Sequence, residues 1–269
     1  MINSAIIFRL FVMNGALFDV LDYYLFAKSI NKDIKLILIR SKNYMDEDQL
    51  YRHIMNRYNL QDGWKDGIIW LKKSYQLVSM KFKNIIVMDY FTTKILKYTN
   101  AEKFHLMYDH DKEYIEYYKS CIKDKRFEIY NEMPFGIGNI HYKLKIPVHL
   151  YKQPEKSKPN CYINCSGGKS LSELERAKKL TDKNLLVLSN VPDNFFELWD
   201  TYMYIHDGKY FEPRCRLLLE AKMFHKKIIY DNIYEIRDGS YYRWKEIKNL
   251  KKLPKQRVLT EEDKLIKIL

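Results

Sequence analysis

The apolar positions fall into short blocks that alternate between two textures. Residues 5–13 are an apolar run with Arg9 inside it, and Asn14-Gly15 follows as a loop. Within 18–29 and just beyond, Leu21, Leu25 and Ile30 recur at helical spacing. A compact apolar block at 34–39 then reads as a strand. Strand, glycine loop, helix and strand in succession predict the opening of a parallel sheet covered by helices. Farther on, 84–88 and 103–108 read as strands, 92–99 as a short helix and 112–122 as an amphipathic helix.

Between 146 and 159 the texture changes, with Pro147, Pro154 and Pro159 among scattered Lys and Glu, as expected of a connector. The alternation then restarts. Residues 160–165 form a strand, Ser166-Gly167-Gly168-Lys169 a tight loop, and 172–180 a helix. Strands follow at 185–189, 203–205 and 226–230, with helical pieces at 195–199 and 214–224. Two such sets predict an α/β protein of two Rossmann-like domains facing a central cleft: 1–150, and 151–269 with a basic tail. Ligands in such folds sit beyond the carboxyl ends of the strands.

Composition narrows the class. The chain has 269 residues, 46% hydrophobic and 15% aromatic, which excludes a disordered basic tail as its main character. Its formal charge is +13, yet 36 of the 47 basic residues are Lys. With so much Ile, Asn and Tyr alongside, part of that excess reflects coding composition. The remainder draws the chain toward polyanions without choosing among nucleic acid, anionic membrane and phosphorylated substrate. No apolar run reaches the length of a membrane span, and Arg9, Asp19 and Asp22 break the N-terminal run, arguing against a signal peptide. Four cysteines without two close pairs fit reduced thiols in a cytoplasmic compartment.

Two segments carry candidate chemistry. In Ser166-Gly167-Gly168-Lys169 the glycines let backbone amides approach a phosphate ahead of a helix N-terminus, and Lys169 can neutralise a diphosphate. It is not the phosphate loop of nucleotide hydrolases, which needs a different spacing. The second segment runs from His206 through Glu212, Pro213 and Arg214 into a helix bearing Arg216 and Glu220. Arginines at a helix start suit an anionic ligand. Leu217, Leu218, Leu219, Ala221 and Met223 surround Glu220 with apolar neighbours, which sets it apart from an ordinary solvated face.

From 204 to 232 the chain resembles the donor-binding segment of two-domain glycosyltransferases of the GT-B fold. Retaining members carry a Glu, seven residues, and a second Glu followed by Ala; here these are Glu212 and Glu220-Ala221. Pro213-Arg214 stand where the family often has Phe-Gly, and His225-Lys226 where it usually has Gly. The resemblance implies a retaining transfer from a nucleotide diphosphate sugar, a UDP-sugar first among them. Glu212 would lie near the sugar and Glu220 at the ribose hydroxyls. His206 would stand beside the donor, while Gly167, Gly168 and Lys169, with Arg214 and Arg216, would meet the diphosphate. Gly15 would help frame the cleft. The pattern neither requires nor excludes a divalent metal.

On the acceptor side, Asp89 and His110 end apolar strands, where a base for the acceptor hydroxyl would stand. Some phage-encoded enzymes of this fold glycosylate modified bases in DNA, and this chain is similar in charge and size class. Double-stranded DNA is therefore one expected acceptor, in the cytoplasm of a bacterium or a phage-infected host. A bacterial surface glycan is the other. A basic Rossmann-like module that binds nucleic acid or nucleotide without turnover is the non-enzymatic alternative.

Overall fold

The computed structural model describes residues 1–10, 15–40, 46–108, 115–131, 140–141, 145–164, 174–188, 191–205, 216–231 and 258–269. The chain divides into two compact units, Met1–Tyr151 together with Arg257–Leu269, and Lys152–Gln256.

The first unit is built on strands β1 (Ile2–Leu10), β2 (Ile34–Arg40), β3 (Ile68–Leu71), β4 (Lys81–Val87), β5 (Asn100–Tyr108), β6 (Phe127–Asn131) and β7 (Ile140–His141). They form one seven-stranded sheet in the order β3-β2-β1-β4-β5-β6-β7. Every pairing is parallel. The first six follow the doubly wound order, in which the chain reverses its direction of travel across the sheet between β1 and β4. Helices α1 (Gly15–Ser29), α2 (Glu47–Arg57), α3 (Tyr90–Thr93) and α4 (Ile115–Ile122) connect them.

Strand alternation explains the layering. Ala5 and Ile7, Ile37 and Ile39, Ile85 and Val87, and Phe104 and Leu106 are buried in one core with Tyr118 and Cys121 of α4. Two 3-10 turns, Ser74–Ser79 and Leu96–Tyr98, add Leu77 and Leu96 to it. On the opposite parity of the strands, Ser4 Oγ donates to the Ile268 carbonyl at 3.0 Å. This brings the C-terminal helix, Lys264–Ile268, back onto the first strand of the sheet.

Helix α1 is apolar nearly all round and correspondingly buried, from Leu17 to Ala27. Its one fully buried acid, Asp22, accepts hydrogen bonds from Tyr58 Oη at 2.9 Å and Tyr151 Oη at 2.6 Å. A buried carboxylate is tolerated only when so satisfied. Gly67 has no room for a side chain: a Cβ there would lie 2.5 Å from the Ile34 carbonyl oxygen.

The second unit contains β8 (Asn160–Ile163), β9 (Asn184–Leu186), β10 (Thr201–Ile205) and β11 (Lys227–Asp231). They form a parallel sheet in the order β11-β10-β8-β9. Helix α5 (Leu174–Leu180) places Ala177 on the face of Cys161, Ile163, Met203 and Ile205. Helix α6 (Arg216–Met223) places Leu218 and Ala221 on the other face, with Tyr162, Tyr202, Phe195 and Trp199. Helices on both faces of a parallel sheet make each unit Rossmann-like. The helix Lys264–Ile268, α7 in chain order after α6, belongs to the first unit. Among the described residues no helix is long and apolar enough to cross a membrane.

After α6 the chain turns through His225 at φ 53°. His225 N–H donates to the Lys222 carbonyl and Lys226 N–H to the Ala221 carbonyl, which is a Schellman ending. The left-handed position that favours glycine is thus occupied by His225. Lys226 is then buried, donating to the carbonyls of Phe196 at 2.6 Å and Trp199 at 2.9 Å and to Ser157 Oγ.

Candidate functional site

In a sheet of this order the ligand-binding position is at the carboxyl ends of the two strands where the winding reverses, because the loops there diverge. In the second unit those strands are β8 and β10, paired from Thr201↔Cys161 to Met203↔Ile163. Ile163 ends β8 and Ile205 ends β10, so the chain leaves the sheet twice from neighbouring strands, about 4.8 Å apart. What it leaves into is, after β8, Ser166-Gly167-Gly168-Lys169 and, after β10, His206 with Glu212 and Arg214. Those seven residues lie outside the described residues, as does His110.

Of the expected donor-side residues, Arg216 and Glu220 are described, and they meet each other. Arg216 Nε donates to Glu220 Oε1 at 2.6 Å across one turn of α6. Both side chains are buried, at 6% and 4% exposure. Their i, i+4 spacing places them on one side of the helix, and the first residue of α6 is Arg216 itself. A charge pair sequestered at the start of a helix has to be satisfied in place, because removing either partner strands the other charge away from water. The arrangement leaves Glu220 Oε1 committed to the guanidinium.

In the first unit the reversal lies between β1 and β4, paired up to Ile6↔Ile86. Gly15 is the first residue of α1, five positions after β1 ends at Leu10, and residues 11–14 between them lie outside the described residues. Asp89 follows β4 and caps α3: its Oδ1 accepts from Thr92 N at 3.0 Å and its Oδ2 from Thr92 Oγ1. Thr92 Oγ1 in turn accepts from Arg9 N at 2.9 Å. The carboxylate thereby ties the β4 exit to β1. Thr92 is fully buried and was not among the residues singled out from the sequence. The pattern Asp89-x-x-Thr92 is the signal that could have found it, since an acid three residues ahead of a hydroxyl at a strand end is a capping arrangement.

A second polar cluster sits on the face of the first sheet that carries Ser4. His105 Nδ1 is 3.2 Å from Tyr130 Oη and 3.3 Å from Glu128 Oε2, and its Nε2 is 3.3 Å from Asn84 Oδ1. Burial pushes the His105 imidazole below its ordinary value; Glu128 pulls the other way, and Lys103 and Lys264 add to the depression. Tyr130 Oη donates to Glu128 Oε2 at 3.0 Å, and burial raises the phenol.

The two described thiols, Cys121 and Cys161, are not primed for nucleophilic work. Burial raises Cys121, and pushes Cys161 up to about 11. Among the described residues no group of three or more His, Cys, Asp or Glu is placed to hold a metal ion. No protein-family model matches the chain, and no curated protein matches it.

Proposed function

We propose that the protein is a glycosyltransferase that moves a sugar from a nucleotide diphosphate sugar, a UDP-sugar first, to a hydroxyl acceptor, with retention at the anomeric carbon. The observation that carries this reading is the strand order of the second unit. It makes β8 and β10 neighbours at the winding reversal, and the two segments that follow them hold the glycine loop with Lys169 and the Glu212–Arg214 segment.

Lys169 and Arg214 would stabilise the charge that builds on the departing diphosphate, the term that such a reaction most needs. Glu212 would stand near the sugar. Glu220, oriented by Arg216 at its Oε1, would meet the ribose hydroxyls. Retention depends on orienting donor and acceptor more than on a strong base. Asp89 or His110 would hold the acceptor hydroxyl. The acceptor favoured by the basic charge is a hydroxyl on a modified base in double-stranded DNA.

Calorimetric titration with UDP-, GDP- and dTDP-sugars, with and without a chelator, tests the donor. Transfer to hydroxymethylated DNA and to bacterial surface glycans tests the acceptor, and the anomeric coupling in the product tests retention. Arg214→Ala is expected to lower turnover at least 100-fold, about 2.7 kcal/mol of transition-state stabilisation, with an unchanged melting temperature. Wild-type turnover in that variant, or no donor binding across the panel, would overturn the assignment.

A further inference from the structure

Between Asp66 and Glu102 the chain carries six lysines and a single acidic residue, Asp89. Asp89 is 9% exposed and is used as the cap of α3. Lys72, Lys73, Lys81, Lys83, Lys94 and Lys97 are all exposed. This run covers β3, both 3-10 turns, β4 and α3, and its β4 edge is bounded by exposed Glu102 of β5, which the register sets beside Lys83.

The two 3-10 turns form one layer. Leu77 and Met80 from the first, and Leu96 and Tyr98 from the second, pack on the same core of the sheet. Lys72 and Lys73 lead into the first turn, and Lys94 and Lys97 frame the start of the second. The first turn also holds Tyr75 and Val78 out into solvent, at 63% and 65% exposure. Side chains three apart on a 3-10 helix eclipse one another, so these two project together. Lys81 and Lys83 share the strand parity of Ile85 and Val87, which face that same core.

We infer that this lysine layer of the first unit binds the phosphate backbone of double-stranded DNA, with Tyr75 and Val78 as the apolar contact at its centre. The inference rests on the reading of DNA as acceptor and gives that acceptor a surface. Three observations select a polyanion with closely spaced charges. The lysines run from the carboxyl end of β3 to the amino end of β4, the full height of the sheet. Along the chain no exposed acid interrupts them between Asp66 and Glu102, so Glu102 borders the layer at Lys83 and does not divide it. Among the described side chains of this run the exposed large apolar ones are Tyr75 and Val78, whereas docking on a membrane draws on buried apolar area as well as charge. Duplex DNA presents one negative charge for about each 1.7 Å of axis, and lysines neutralise it by releasing counterions.

The test is fluorescence anisotropy of a labelled 30-base-pair duplex without sugar donor, titrated with salt. Each lost phosphate contact lowers the slope of log affinity against log salt by about 0.9. Replacing Lys72, Lys73, Lys94 and Lys97 together by Gln is expected to flatten the slope by about 3 to 4. Tyr75→Ser with Val78→Ser should weaken binding at least threefold at an unchanged slope. Lys178→Gln with Lys179→Gln, on exposed positions of α5 in the second unit, should leave the slope as in the wild type. Circular dichroism on each variant keeps a folding defect from mimicking the result. An unchanged slope in the quadruple variant, or an equal fall in the α5 control, would overturn the inference. So would wild-type protein that ignores the duplex and sediments with phosphatidylglycerol vesicles through these lysines. Because no donor is present, DNA binding that survives a failed donor panel would refute the transferase reading and leave this surface standing.

Discussion

Arg216 and Glu220 show why a residue's chemistry has to be read together with its neighbour's. Each alone suits a nucleotide donor, the guanidinium for phosphate and the carboxylate for ribose hydroxyls. At 2.6 Å and nearly complete burial they are also each other's counter-charge. Truncating one partner of a buried pair costs roughly 3–5 kcal/mol, because the other charge is stranded, whereas replacing both by apolar residues of similar volume is often neutral. Glu220→Ala is therefore expected to lower unfolding free energy by about that amount in a denaturant titration. Arg216→Met with Glu220→Leu should recover most of it. If Glu220 also holds the ribose, the double variant will be stable yet lose donor affinity by at least tenfold. A stable double variant with wild-type donor affinity would confine both residues to a structural role. The i, i+4 spacing and the apolar surroundings of Glu220 were plain in the sequence. That the two would turn to each other was not, since spacing puts side chains on one face without saying what else shares it.

At the scale of elements, legibility followed burial. The succession β1, α1, β2 could be read because its residues are buried on both faces of a parallel sheet, so the apolar runs are nearly continuous. Helix α2 escaped notice: only Leu50 and Ile54 are buried, and its clearest mark is the capping box of Asp46 with Gln49. β3 and β6 are four and five residues long, too short for a period to declare itself. The sequence shows the helix Lys264–Ile268 only as part of a basic tail, because its partners on β1 and β6 lie far back in the chain. Asp263 caps it and pairs with Lys145 at 2.9 Å, and Lys264 reaches over the Tyr130 ring. That docking puts Lys264 near His105, whose folded-state pKa lies below its unfolded value of about 6.5. The unfolded chain then binds the extra proton more readily, so stability is full above pH 6.5 and is lost as pH falls through the depressed folded value. Melting temperatures measured from pH 7.5 to 5 should drop, and His105→Gln should flatten that drop. Parallel curves for the two proteins would remove His105 as the cause.

The whole molecule is organised by a chain that passes out of its first unit and returns to it. Ile146 bridges Val258 in parallel, and Leu259 N–H donates to the Ile146 carbonyl at 2.9 Å. The outgoing and returning segments are therefore anchored side by side on the first unit. Nearby, Tyr151 is bridged to Tyr58 and fixed to Asp22, which pins the last residue before the second unit begins. Leu265, Ile266 and Leu269 are buried in the first unit. At about 1.5–3 kcal/mol for each fully buried side chain, the C-terminal helix contributes roughly 4–9 kcal/mol there. Most of a small domain's net stability is of that size. Deleting 263–269 is thus expected to act on a unit whose sequence begins more than 250 residues earlier. Hydrogen exchange followed by mass spectrometry should show faster exchange in peptides from β1, β4 and β5, with β8 and β10 unchanged. Equal acceleration in both sheets would mean that the two units share one cooperative unfolding transition. Acceleration confined to the second would overturn the placement of the helix. The first outcome alone joins the two ends of the sequence into one folding unit, with the second unit inserted between them.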